Sequence, residues 1–177
     1  LNFFSSGLLY RVIALHNEKT NSFNLNEFEI ISNDPVVCRV DGNIYEEDNL
    51  YTAQINTKSS EIAQLSEIRI IVSNVLQFMF NNSNTGLVVE GRDMGSVVFK
   101  NADLKIYLDA SEVTRSERRI AQSGNKESVE DLRARDSRDI NRKISPLIIP
   151  DDAIVINNED KSIDEVIQII KENLKLQ

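Results

Sequence analysis

The chain has a single cysteine, Cys38, and a single histidine, His16, among its 177 residues. One cysteine cannot form an internal disulfide, and neither residue has the companions that a Cys/His metal site needs. We therefore expect both residues to be structural. No apolar run is long enough to cross a bilayer, so we predict a cytoplasmic protein that does not act at a membrane.

Basic residues are the minority among the charged side chains. The chain has 20 Lys and Arg against 28 Asp and Glu, for a formal net charge of -8. This balance gives no general attraction to nucleic acid, which we do not expect as a partner. Any anionic ligand must be bound by a local group of cations. The 41% of apolar residues is sufficient for the core of one domain.

Glycine is also scarce, and none of the six glycines is followed by lysine. The phosphate loop GxxxxGK[ST], whose backbone amides cradle phosphates, is therefore missing from these residues. The near match GLVVEGRD has the four-residue gap, but apolar strand residues fill most of it. The sequence therefore assigns no residues to a cofactor that binds through such a loop.

Apolar strands alternate with helices along most of the chain. LNFF predicts a strand, Ser5-Ser6-Gly7 a turn, and the apolar residues that follow a helix. Further strands are predicted in Leu87–Val89, LKIYLDAS and AIVINN, and the last is followed by an amphipathic helix. This alternation predicts an α/β fold with a parallel sheet covered by helices on both faces. Ligands of such sheets bind beyond the carboxyl ends of the strands.

Residues 19–57 differ in character, because they are short, polar-rich and β-like up to LYTAQIN at 50–56, with a turn at Asp41-Gly42-Asn43. We predict a small inserted subdomain over 19–57 and a core domain made of 1–18 and 58–177. From Ser60 the apolar spacing predicts a helix that ends at NNSNTG.

Positive charge is concentrated in residues 115–143, which hold nine basic and six acidic residues. Arg135, Arg138, Asp139 and Arg142 fall at i, i+3, i+4 and i+7, which predicts one face of a helix ended by Ser145-Pro146. A solvated salt-bridge ladder explains this pattern, at about 0.3–0.5 kcal/mol per pair. Alternatively, the excess arginines bind a phosphorylated ligand, since guanidinium forks suit phosphate oxygens.

Arg92 and Asp93 follow a predicted strand directly. A charged pair at the mouth of a parallel strand is either an internal salt bridge or part of a binding site, because unpaired burial is costly. Arg11 and Arg69, each within an apolar helical pattern, are weaker candidates that could also be snorkelling side chains.

Four segments, SSGLLYR, VVEGRDMGSVVFKNADLKIYLDAS, SERR and RDSRDINRKISPL, together resemble the bacterial cytidylate (CMP) kinases. These are nucleoside monophosphate kinases within the P-loop NTPases. The resemblance covers nearly the whole chain and implies a P-loop NTPase-like core, a monophosphate-binding insert and a helical lid at 115–145. The implied reaction transfers the γ-phosphoryl group of ATP to CMP or dCMP, with Mg²⁺ as cofactor, and the implied state is a monomer.

The resemblance also implies roles for nine residues. The cytosine is implied to contact Ser6, Arg69 and Asp93. The ribose is implied to contact Ser60, Arg135 and Asp139, and the α-phosphate is implied to be gripped by Arg11, Arg92 and Arg142. Arg92, Arg135 and Arg142 are the candidate catalytic residues among them. The family motif supports no metal ligand in this chain, and Asp109 is not assigned as one.

Two departures from the family pattern affect these expectations. Ser5 stands where the family usually has aspartate, and the family's opening strand and phosphate loop are missing. We therefore expect about 25–30 preceding residues, a strand, loop and helix, in the natural protein. We also expect the 177-residue chain alone to be inactive.

Two alternatives remain open from the sequence. One is a noncatalytic CMP-binding remnant that lacks the donor site. The other is a kinase for UMP or AMP; a preference for UMP would count against the role of Asp93, because uracil has a carbonyl where cytosine has an amine.

Overall fold

The computed structural model of the protein describes residues 1–33, 35–122 and 128–175. The chain forms two compact units. The first unit contains residues 1–92 and 142–144, and the second unit contains residues 93–141 and 145–177. No helix in the described part of the chain is both long and apolar enough to span a membrane.

The first unit contains β1 (Asn2–Ser5), α1 (Ser6–Thr20), β2 (Phe28–Asn33), β3 (Val36–Val40), β4 (Asn43–Glu46), α2 (Glu47–Leu50), α3 (Ala53–Ile62), α4 (Ser66–Asn81) and β5 (Leu87–Glu90). The second unit contains a π-helix (Met94–Val98), β6 (Ile106–Asp109), α5 (Glu112–Gln122), α6 (Val129–Asn141), β7 (Ile154–Asn157) and α7 (Ile163–Lys175).

The strands that were predicted to be parallel form parallel pairs. In the first unit β1 pairs with β5, with Phe3 opposite Val88, and in the second unit β6 pairs with β7, with Leu108 opposite Ile156. The predicted strand direction is therefore confirmed. The described parallel strands form two pairs, β1 with β5 and β6 with β7.

Helix α1 begins immediately after β1 and supplies much of the core of the first unit. Its apolar residues Leu9, Val12, Ile13 and Ala14 are fully buried. The strand and helix predicted at the start of the chain are confirmed. Ser5 ends the strand and Ser6 begins the helix, so no separate turn is needed between them.

Strands β2, β3 and β4 form an antiparallel sheet. The predicted turn between β3 and β4 is confirmed, because Asp41 (φ 46°) and Gly42 (φ 79°) both adopt the left-handed backbone that such tight hairpins need. Tyr45 on β4 is fully buried, and its hydroxyl lies 2.7 Å from His16 Nδ1 of α1. His16 thus ties α1 to this sheet, as expected of a structural residue.

Cys38 lies on β3 and is fully buried. Burial raises the pKa of its thiol to about 11, so the thiolate that reacts or binds metals is scarce at neutral pH. This agrees with the expectation that Cys38 is structural.

The prediction of β-like structure up to residue 57 is wrong for residues 47–50, which belong to α2, and for residues 53–57, which belong to α3. Thr52 caps this helix, because its Oγ1 accepts a hydrogen bond from the backbone N–H of Ile55 at 3.2 Å. Ile55, Ser59 and Ile62 are buried at helical spacing. The single helix predicted from Ser60 is also wrong, since α3 ends at Ile62 and α4 begins at Ser66. The predicted boundaries of the inserted subdomain stay predictions.

Helix α6 is shorter than the sequence predicts. It ends at Asn141, so Arg142 does not continue its arginine face and Ser145-Pro146 does not mark its end. The carbonyl of Asp139 accepts a hydrogen bond from Leu147 N at 2.8 Å instead of from the next helical turn. The Asn141 side chain donates to the carbonyl of Ser137 at 2.9 Å, in the last turn of the helix.

Hydrogen bonds of Glu159 connect the beginning of α5 to the segment after β7. Its carboxylate accepts hydrogen bonds from Ser111 N at 2.5 Å, from Ser111 Oγ at 2.6 Å and from Thr114 Oγ1 at 2.5 Å. Arg118 of α5 donates to the carbonyl of Glu159 at 3.0 Å. The hydrogen bonds from Ser111 and Thr114 lower the pKa of Glu159 to about 2.

We expect Glu159→Gln to destabilise the protein at neutral pH but much less in acid. Because folding lowers the pKa of Glu159 from 4.5 to about 2, its contribution is fully present above 4.5 and is lost as the pH falls toward 2. Urea unfolding of both proteins at about pH 6 and about pH 3 measures this change. An equal difference in midpoint at both pH values would show that the charge of Glu159 does not matter.

Candidate functional site

Arg11 of α1 is a buried cation of the first unit, with 5% of its surface exposed. Its Nε donates a hydrogen bond to Asn56 Oδ1 of α3 at 2.9 Å. The guanidinium carbon lies 4.7 Å from the centroid of the Tyr51 ring, within the range of a cation–π interaction. A buried arginine stacked and bonded in this way is an ordered part of the fold, so it is not a snorkelling surface side chain.

The guanidinium of Arg11 lies beside the first turn of α1. A Cβ atom added to Gly7 would be 2.9 Å from Arg11 Nη1, so glycine leaves the space that the guanidinium occupies. The first turn of a helix presents backbone N–H groups and the positive end of the helix dipole. Together, these groups and Arg11 can stabilise an anion such as a phosphate.

Ser6 begins α1 and is buried, with 3% of its surface exposed. Ser5, which stands at the family's usual aspartate position, does not cap the helix with its side chain. Its hydroxyl donates to Glu90 Oε2 at the end of β5, at 2.6 Å. Glu90 thereby supplies a carboxylate next to Ser5.

Arg69 of α4 is the second buried arginine of the first unit, with 6% exposed. Its Nη1 donates to the carbonyl of Ala63 at 2.8 Å, and its guanidinium carbon lies 5.8 Å from the centroid of the Tyr10 ring. Ser60 lies on α3 and is half-buried. Arg69 is therefore oriented by the end of α3 and by α1.

The three arginines implied to grip the α-phosphate all belong to the first unit. Arg92 follows β5 and is half-buried, whereas Arg142 is buried with 9% exposed. Six of the nine predicted site residues lie in this unit, namely Ser6, Arg11, Ser60, Arg69, Arg92 and Arg142.

Asp93, Arg135 and Asp139 belong to the second unit. Asp93 is buried, with 3% exposed, and its carbonyl accepts hydrogen bonds from Val97 N at 2.9 Å and Val98 N at 3.3 Å at the start of the π-helix. Such single-turn π-helical segments occur frequently at functional sites. The carboxyl group of Asp93 is thus carried by a backbone that is fixed by two hydrogen bonds.

Arg135 and Asp139 lie one turn apart on α6, where Arg135 is half-buried and Asp139 is buried. Ion pairs join α6 to α5: Arg115 Nη1 contacts Asp136 Oδ2 at 2.8 Å, and Arg133 contacts Glu112. The predicted lid at 115–145 includes residues 123–127, which lie outside the described residues. Its extent stays a prediction.

Sequence reasoning missed Tyr51 and Asn56, which contact Arg11. The mistaken β assignment of LYTAQIN hid the helical spacing that brings Asn56 to α1. Thr52, a strong N-cap residue, was the available signal that a helix begins there.

No group of three or more His, Cys, Asp and Glu residues is placed to hold a metal ion within the residues that the structure describes. Parallel β-strand pairs, covering helices and ordered arginines define an α/β protein suited to a phosphorylated ligand.

Comparison with known proteins identifies the family. A model of the cytidylate kinase family matches residues 1–176. Cytidylate kinases of Nitrosomonas europaea and Flavobacterium psychrophilum are 37% and 33% identical to the chain, covering 94% and 95% of it and 80% and 84% of their own length. That of Pseudomonas fluorescens is 33% identical over 99% of this chain and 84% of its own. The chain belongs to the cytidylate kinase family, which confirms the resemblance and the predicted P-loop NTPase-like α/β class.

Proposed function

We propose that this protein is a cytidylate kinase that converts CMP or dCMP, with ATP, to CDP or dCDP and ADP. The match of the family model over residues 1–176 is the observation that carries the proposal. In this reaction an oxygen of the CMP phosphate forms a bond to the γ-phosphorus of ATP. The bond from that phosphorus to the bridging oxygen breaks, and ADP leaves.

Arg11, Arg92 and Arg142 bind the α-phosphate of the acceptor in this proposal. The burial of Arg11 and Arg142 supports the role, because a guanidinium shielded from water interacts more strongly with an anion. These contacts orient the attacking oxygen and compensate the repulsion between two phosphate groups. Arg92 and Arg142, with Arg135 of α6, are the proposed catalytic residues because they can stabilise the charge of the transferring phosphoryl group.

The remaining residues select and orient the nucleoside. Asp93 accepts a hydrogen bond from the cytosine amine. Arg69, together with Ser6, faces the ring and donates hydrogen bonds to its acceptor atoms. Ser60, Arg135 and Asp139 bind the ribose hydroxyls. Residues 115–145 are the proposed lid, whose closure excludes water from the reacting phosphates.

Mg²⁺ enters in this proposal with ATP, as part of the donor substrate. Mg²⁺ is usually bound by substrate phosphates with at most one or two protein carboxylates, which supports this route. The ion supplies charge neutralisation on the phosphates when it is bound.

We further propose that the protein acts as a cytoplasmic monomer on small-molecule substrates. The net charge of -8 disfavours nucleic acid as a partner. Nucleotide substrates are present in the cytoplasm, which supports that location.

We expect the natural gene product to form ADP in the presence of ATP and CMP or dCMP, at a higher kcat/KM than with UMP or AMP. A coupled assay of ADP release measures all four acceptors, and the 177-residue chain is assayed beside it. A higher kcat/KM with UMP than with CMP would contradict the proposal and indicate a UMP kinase.

A second candidate is a noncatalytic CMP-binding protein. This candidate keeps the acceptor site and forms no ADP. Binding of CMP by the natural gene product without ADP formation would establish it.

A further inference from the structure

Two residues outside the proposed nucleotide contacts hold the guanidinium of Arg11. Asn56 Oδ1 accepts a hydrogen bond from Arg11 Nε at 2.9 Å, and the Tyr51 ring lies 4.7 Å from the guanidinium carbon. We infer that Tyr51 and Asn56 are positioning residues that orient Arg11 toward the phosphate of the acceptor nucleotide. This inference rests on the proposed function, which assigns Arg11 to that phosphate.

The two contacts fix different degrees of freedom of Arg11. The hydrogen bond to Asn56 fixes the rotation of the guanidinium within its own plane, because it uses Nε on one edge of the group. The aromatic face of Tyr51 fixes the plane itself. With both contacts in place, Nη1 lies beside Gly7 in the first turn of α1. That turn is where backbone N–H groups also favour an anion.

Positioning of this kind affects affinity. An unrestrained arginine loses rotamer entropy when a ligand orders it. A guanidinium that is already oriented avoids most of this loss at the moment of binding. Removing either contact should therefore weaken the binding of the phosphate and leave the binding of the nucleoside intact.

The segment that carries Tyr51 and Asn56 is itself well ordered. Asn56 N donates to the carbonyl of Thr52 at 2.9 Å, and Ser59 Oγ donates to the carbonyl of Asn56 at 2.9 Å. Both positioning residues are half-buried, so their replacement leaves the fully buried core untouched.

Calorimetric titration of the purified protein with CMP and with cytidine tests the inference. We expect Asn56→Ala to weaken CMP binding about tenfold and Tyr51→Leu about three- to fivefold. The affinity for cytidine, which lacks the phosphate, should change less than about twofold. Tyr51→Phe keeps the ring face and should recover most of the CMP affinity that Tyr51→Leu loses.

Gln54→Ala is the matched control, because Gln54 is also an α3 amide that bonds to α1, through Glu18 at 3.1 Å. It should leave CMP affinity unchanged. In an Arg11→Ala background, Asn56→Ala and Tyr51→Leu should cause no further loss, since they act through Arg11.

Three results would overturn the inference. Equal losses for CMP and cytidine would show a general structural role. A loss with Arg11→Ala but none with Asn56→Ala or Tyr51→Leu would refute positioning while leaving the proposed function intact. Unchanged CMP affinity in Arg11→Ala would remove Arg11 from the phosphate, and the inference would fail with that assignment.

Discussion

Replacement of Arg142 by alanine is expected to weaken CMP binding by about 1.5–3 kcal/mol, which is roughly a 10- to 150-fold rise in Kd. Arg142 is buried and belongs to the same compact unit as Arg11 and Arg92. A charge-assisted contact in such a shielded environment is worth more than a contact at the surface. Arg92→Ala should have an effect of the same size. Titration with CMP measures both variants.

Three comparisons make this prediction specific. Arg142→Lys keeps the charge but loses the guanidinium fork, so its CMP affinity should lie between those of the wild type and Arg142→Ala. Arg138→Ala removes one charge from the arginine-rich face of α6 at a position without a proposed phosphate role, and should change the affinity less than about twofold. If Arg92→Ala and Arg142→Ala both bind CMP like the wild type, these arginines do not bind the phosphate.

The strands and the first helix were predictable because their apolar patterns are simple. Val88 and Val89 and the residues of β6 and β7 lie in short apolar runs, and α1 repeats apolar residues at helical spacing. The turn between β3 and β4 was also predictable, since Gly42 takes the positive φ that the hairpin needs. These features depend on neighbours in the sequence, which a single chain displays directly.

The end of α6 was not predictable in the same way. Spacing alone places Arg142 on the helix, but the carbonyl of Asp139 bonds to Leu147, eight positions later in the chain. Ser145 also adopts a left-handed backbone, with φ 50°, just before Pro146. The helix therefore ends where a longer-range contact competes with the next helical turn.

The contacts of Arg11 show the same limit within the candidate site. The sequence marked Arg11 as a charge in an apolar helix, whereas its partner Asn56 is 45 positions away. Only the packing of α3 on α1 brings the two side chains together. Identification of a functional arginine is thus possible from local pattern, but identification of what orients it requires the fold.

Asp93→Asn is expected to reduce the preference for CMP over UMP by roughly tenfold or more. In its proposed role, the carboxylate of Asp93 accepts hydrogen bonds, so it favours the amine of cytosine over the carbonyl of uracil. Asparagine has nearly the same shape but can both accept and donate, and it therefore suits either base. Because Asp93 is buried with 3% exposed, water cannot easily replace the lost discrimination. The ratio of kcat/KM values for the two nucleotides measures the effect.

Asp109→Asn provides the matched control for this change of base preference. Asp109 ends the parallel strand β6, its side chain is exposed, and it has no proposed contact with the base. Its substitution should leave the CMP to UMP ratio unchanged, even if it alters stability slightly. If the CMP to UMP ratio of kcat/KM values in Asp93→Asn equals that of the wild type, another group binds the cytosine amine. A fall in the ratio confined to Asp93→Asn would instead locate base selection at the start of the π-helix, where the backbone N–H groups of Val97 and Val98 hold the Asp93 carbonyl.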